Sequence, residues 1–162
     1  MVEFTDPSEI WKGKQKQDYF ETNMKMLDKS IKGYGLLWTD IQVRPKVGSL
    51  IGVMHKSLNI GLVRWLAQSK ETGMFMGVEL LGAQATVVKV TNPGYPDDMV
   101  NAIFLPLEEI DKPAVSLIFM NKGFRPSEFI FIHKNHRITR YRLTKQLQLT
   151  SYINHVEVIR SH

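Results

Sequence analysis

Period-two alternation dominates the hydrophobic pattern from Tyr19 onward. Phe20, Thr22, Met24 and Met26 share one parity, and successive side chains on an extended strand point to opposite faces. That run predicts a strand leading into Leu27-Asp28-Lys29-Ser30-Ile31-Lys32-Gly33. Further strands are predicted at Tyr34–Trp38, Leu50–Met54, Asn59–Leu66, Gly73–Leu81 and Ala85–Val90. No long stretch between residues 19 and 91 carries a 3.6-residue period. Short strands punctuated by Gly and Pro favour a small antiparallel barrel over βαβ units.

Thr91-Asn92-Pro93-Gly94-Tyr95-Pro96-Asp97-Asp98 is the strongest break in the pattern, and a domain boundary is expected there. Beyond it, strands are predicted at Ala102–Leu105, Ser116–Phe119, Glu128–Ile132, Arg137–Leu143 and Asn154–Ile159. Leu143 and Leu147 are four apart, as one or two helical turns would place them. The expected fold class is therefore all-β, two small antiparallel β-barrels in tandem. An N-terminal arm (1–18) with at most one helical turn precedes a first barrel (19–91) and a second, smaller barrel (99–162). The second has few residues for a core and is expected to pack against the first.

Composition narrows the function classes. The 162 residues include no cysteine, which removes disulfides and thiolate metal sites and makes a reducing cytoplasm the expected compartment. No apolar run is long enough to span a bilayer, so no membrane insertion is expected. A net charge of +5 points to an anionic partner.

Asp28 and Ser30, two apart on an extended chain, offer a carboxylate and a hydroxyl to one ligand, or they begin a turn. Gly33 allows a positive-φ turn or a close backbone approach. Arg64 and Trp65 are neighbours on one strand; alternation puts Trp65 in the core and leaves Arg64 outside as an anion contact. The segment Lys122 to Lys145 holds seven Lys or Arg residues against one acid, Glu128. Arg137, Arg140, Arg142 and Lys145, interleaved with aromatics, are candidates for a nucleic-acid surface. The competing expectation is a basic outer face with its aromatics turned inward. His133 and His136 flank a predicted hairpin turn without a third ligand nearby, so no metal is assigned. No catalytic constellation stands out, and no enzyme activity or cofactor is expected. The methionines, among them Met24, Met26, Met54, Met74 and Met76, are expected to fill a core.

Asp28-x-Ser30-x-x-Gly33 resembles the D/N-x-S-x-x-G signature of PilZ domains, small bacterial β-barrels that bind cyclic di-GMP. The resemblance continues through Val47-Gly48, Gly61-Leu62-Val63-Arg64-Trp65 and Gly77-Val78-Glu79-Leu80-Leu81, in the family's order, and covers roughly residues 19–91. Ala102–Pro106, Ser116 through Pro126 and Tyr141–Leu147 are similar to a second barrel found after some longer proteobacterial PilZ-like domains. Those relatives carry more sequence before the barrel, which leaves a short form and a fragment both open. The resemblance implies a signalling module that takes cyclic di-GMP on Asp28, Ser30 and Gly33. One departure bears on this. Ligand-binding PilZ domains carry R-x-x-x-R on a preceding arm, whereas no Arg occurs here before Arg44. Lys12 and Lys16 have the spacing but not the bidentate fork. Three expectations follow: a cyclic di-GMP effector, a degenerate adaptor that binds a protein partner, or a nucleic-acid-binding barrel.

Overall fold

The computed structural model describes residues 2–4, 20–22, 24–39, 45–54, 56–68, 70, 73–107, 114–120 and 127–161. Every regular element among them is a β-strand. The chain divides into two compact units, 1–84 and 85–162.

In the first unit, β1 (Val2–Phe4) and β2 (Phe20–Thr22) form a two-stranded antiparallel ribbon. The part of the predicted arm that includes Val2–Phe4 is therefore strand, while Lys12 and Lys16 lie outside the described residues. The main sheet contains β3 (Met24–Ser30), β4 (Gly33–Trp38), β5 (Leu50–Met54), β6 (Leu58–Gln68) and β7 (Met74–Gly82). Its order is β3-β4-β7-β6-β5, all antiparallel; among the described residues this ladder stays open, with β1 beside β5. One face is apolar. Tyr34, Leu36, Trp38, Ile51, Val53, Val63, Met76 and Val78 form its buried cluster, with Met24, Leu66 and Leu80 against it. Each fully buried aliphatic side chain there contributes about 1.5–3 kcal/mol. Met76 is core, as expected of the methionines, but Met26 and Met54 are exposed at 41% and 38%.

The second unit is a closed six-stranded barrel. Its strands are β8 (Thr86–Asn92), β9 (Tyr95–Leu107), β10 (Ala114–Met120), β11 (Phe129–Lys134), β12 (Arg137–Leu149) and β13 (Ile153–Arg160). They run β10-β13-β12-β11-β8-β9 and close through β9 with β10. Val88, Val90, Ala102, Phe104, Leu117, Phe119, Ile130, Ile132, Leu143, Val156 and Val158 are buried in it.

Two expectations are corrected here. Thr91–Asp98 is not a boundary but the β8–β9 hairpin, with Asn92 paired to Tyr95 across Pro93-Gly94. The Asn92 Oδ1 accepts the Gly94 N–H at 2.8 Å, an Asx turn. Residues 85–91, assigned from the pattern to the first barrel, thus belong to the second. Proline and glycine mark a tight turn as readily as a linker, which is why composition misplaced the division. The helical turns expected after Leu143 are also absent: Thr144–Leu147 lies within β12. Register shifts between Leu143 and Lys145 and between Gln146 and Gln148 leave Thr144 and Leu147 as extra residues, and a leucine spacing of four fits two strand periods as well as one helical turn.

The β11–β12 hairpin turns on Asn135 and His136, at φ 49° and 60°. A two-residue type I′ turn requires positive φ at both positions. Histidine carries a left-handed cost there that glycine avoids. His136→Gly should raise stability by about 0.5–1 kcal/mol, read as a higher midpoint in thermal unfolding.

Candidate functional site on the outer face of the first sheet

A β-bulge sets the geometry of the signature. Met26 pairs with Leu36, and the next pair is Asp28 with Gly35, so Leu27 is the extra residue. The bulge reverses which face each later residue takes. Met24 and Met26 pair with core residues Trp38 and Leu36, whereas Asp28 and Ser30 come out on the opposite, solvent-facing side. Lys29 stays on the Tyr34 side, with its ammonium 5.9 Å from that ring's centroid.

The remainder of the signature is a turn. The Ser30 hydroxyl accepts the Lys32 N–H at 3.2 Å and reaches the Gly33 carbonyl at 3.4 Å. Lys32 in turn accepts the Leu80 N–H at 2.8 Å, which ties the hairpin to β7. Gly33 is required by close approach, because a methyl group on it would overlap the Val78 carbonyl. The turn and the site are therefore the same structure.

Across the sheet, the pairings Asp28–Gly35, Gly35–Gly77 and Gly77–Trp65 form one row, with side chains on one face. Trp65 is 51% exposed and its indole lies directly on Gly77, where a methyl group would overlap the pyrrole edge. Gly35 is open apart from Asp28. The row is a glycine floor bounded by a carboxylate at one end and an indole at the other. This corrects the expectation that Trp65 fills the core. Val63 pairs with Val78 and Trp65 with Gly77, so Arg64 is a bulge residue and the alternation that would bury Trp65 is broken.

Arg64 lies at the surface as expected, in an ion pair with Glu79, which pairs with Gly33 across the ladder. Both side chains are roughly half exposed, so solvent screening leaves the pair little weight in stability. Asp28, Ser30, Gly33 and Arg64 are thus gathered on one face. Gly35, Gly77, Glu79 and the outward Trp65 complete that face and were not singled out from the pattern.

The basic segment in the second unit is divided. Ile130 and Ile132 point into the barrel, so Phe129 and Phe131 point out beside their partners Arg142 and Arg140. The Arg140 guanidinium stands 4.2 Å from the Phe129 centroid. The expectation of inward aromatics fails for Phe129 and Phe131, because the inward parity belongs to the isoleucines, and holds for Tyr141, which pairs with Ile130. Arg137 takes the inner parity instead, and Lys145 pairs with Glu157 beyond the bulge. The four cations therefore do not share one face. His133 Nε2 lies 3.0 Å from the Thr91 hydroxyl, and no group of three metal-ligating residues occurs among the described residues. No helix among them is long and apolar enough to cross a membrane.

Gly33→Ala should cost about 1–3 kcal/mol through overpacking against Val78, with loss of midpoint in urea unfolding as the measurement.

Residues 3–86 match the family model described as the cyclic-di-GMP receptor FimW, middle PilZ domain. No curated protein and no solved structure matches the chain. The matched span holds the bulged Asp28-x-Ser30-x-x-Gly33 strand, the glycine row and the Arg64–Trp65 bulge, and the chain belongs to this PilZ family.

Proposed function

We propose that the chain is a cyclic di-GMP effector that takes the dinucleotide on the outer face of its first sheet. The observation that carries this reading is the Asp28–Gly35–Gly77–Trp65 row. A planar base laid over Gly35 meets the indole at one side and the carboxylate at the other. Stacking on an aromatic side chain contributes about 1–3 kcal/mol per base. Guanine presents N–H donors along its Watson–Crick edge, and Asp28 is an acceptor in its ionised form. The Ser30 hydroxyl borders the same space, while Gly33 keeps the backbone low. The phosphates need cations. Arg64 is engaged with Glu79, so Lys12 and Lys16 are the proposed phosphate contacts, as point charges in place of guanidinium forks. The family's description as a cyclic di-GMP receptor supports this ligand, and a cytoplasmic location is proposed with it.

Calorimetric titration with cyclic di-GMP tests the reading. Binding is expected, weakened about tenfold or more by Asp28→Ala, a loss of about 1.4 kcal/mol or more. Gly77→Ala, which forces the indole off its seat, is expected to weaken binding while the fold persists. Absence of heat at millimolar ligand would reject the effector reading.

The pairing of Arg64 with Glu79, together with the lack of any Arg before Arg44, supports a second reading: an adaptor that binds a protein partner without the dinucleotide. Affinity capture from cells in which the protein is abundant should then recover the same partner with and without cyclic di-GMP. Recovery of nothing would count against it.

A further inference from the structure

We propose that the mouth of the second barrel is a binding site for a small organic phosphate, a phosphomonoester attached to a ring. The outer face of the first unit plays no part in this inference. The inner face of the β11–β12 hairpin runs from apolar to cationic in three cross-strand steps. Ile130 pairs with Tyr141, Ile132 with Thr139, and Lys134 with Arg137. Ile130 and Ile132 are 0% and 2% exposed, so this parity points into the barrel, and Lys134 and Arg137 continue it at the rim. A cavity of about 440 Å³ opens there, lined by Phe104, Ile132, Lys134, Arg137, Thr139 and Tyr141. Ligand pockets of about 300–1,000 Å³ are usual for small molecules. This one holds two cations, two hydroxyls and an aromatic floor, and its lining contains no acid.

The charge arrangement identifies the ligand class. Like charges directly opposite each other on a hairpin are destabilising. Lys134 and Arg137 face each other across a two-residue turn whose positive φ values fix their direction. The Lys134 ammonium folds over the Phe104 ring, 4.1 Å from its centroid, rather than reaching for a carboxylate. A phosphomonoester near neutral pH carries between one and two negative charges and three acceptor oxygens. It matches a guanidinium fork, a point-charge ammonium and two hydroxyls together, where a single carboxylate would leave one cation unmet. Phe104 and Ile132 supply the apolar floor on which a ring would rest. A nucleic-acid strand is the poorer fit, because Arg140 and Arg142 lie on the outer face and Arg137 on the inner.

The test uses the full chain labelled with ¹⁵N, with AMP, adenosine, inorganic phosphate and a single-stranded oligouridine as probes. AMP should shift amide signals of Lys134 to Tyr141, phosphate alone should do so about tenfold more weakly, and adenosine should leave them in place. Lys134→Gln and Arg137→Gln should each weaken AMP about tenfold or more, while signals elsewhere keep the wild-type pattern. Three results would overturn the proposal: no shift with millimolar AMP, AMP shifts that survive both substitutions, or oligouridine binding without AMP binding. The last would make the surface one for a polymer.

Discussion

Leu27 has no cross-strand partner, and the face on which the PilZ signature stands depends on that single unpaired residue. In an antiparallel ladder, one extra residue reverses every side chain that follows it. Without the bulge, Asp28 and Ser30 would share the face of Met24 and Met26, and Asp28 would be driven against the buried Tyr34. The second bulge, at Arg64, performs the same reversal three strands away and brings Trp65 out to the same side. Two independent irregularities thus assemble one face, with the two intervening strands supplying glycines. A straight, fully alternating sheet of the same composition would bury the indole and leave the carboxylate without a flat neighbour.

The two units treat cations differently. On the sheet of the first unit, Arg64 is paired with Glu79 and Lys29 lies over Tyr34. At the barrel mouth of the second, Lys134 and Arg137 oppose each other, and the nearest compensation is the π-face of Phe104. Aromatic faces offset a cation only partially, whereas an ion pair or a bound anion compensates it fully. Below the rim lie the buried Ile130, Ile132 and Phe104, so the charge stays at the rim, beside the hydroxyls of Thr139 and Tyr141.

Much of the fold was legible because strand period is a robust signal. Most predicted strands recur, often to within a few residues, and the turn chemistry at Asp28–Gly33 pointed to a real hairpin. What alternation could not convey is where it is interrupted. A bulge needs only one additional residue and leaves no compositional mark, so alternation gives the wrong face for Trp65; in β11, which has no bulge, alternation leaves open whether the phenylalanines or the isoleucines take the inner parity. The Leu143–Leu147 spacing suggested a helix because four residues fit one helical turn as well as two strand periods. The Pro93-Gly94 pair misled differently: its residues suit a tight hairpin and a linker alike, and only the pairing of Asn92 with Tyr95 decides between them. Within the site, Asp28, Ser30 and Gly33 were readable as a motif, while Gly35 and Gly77 became meaningful only when four strands were laid side by side.

The signature strand is also the outermost strand of its sheet among the described residues. An outer strand offers an unpaired row of backbone groups to any other chain, a standing invitation to strand addition and aggregation. Lys25, Lys29 and Lys32 stand exposed along this one, and lysine is the residue best suited to keep a foreign strand away, since docking would have to desolvate its ammonium. Lys25 shares the outward face with Asp28 and Ser30, Lys32 stands in the turn beside them, and Lys29 adds its charge from the Tyr34 side. Protection of an open edge and a positive field for an anion are thereby supplied by one set of side chains, so neutralising them would expose the chain to self-association as well as alter the field at its face.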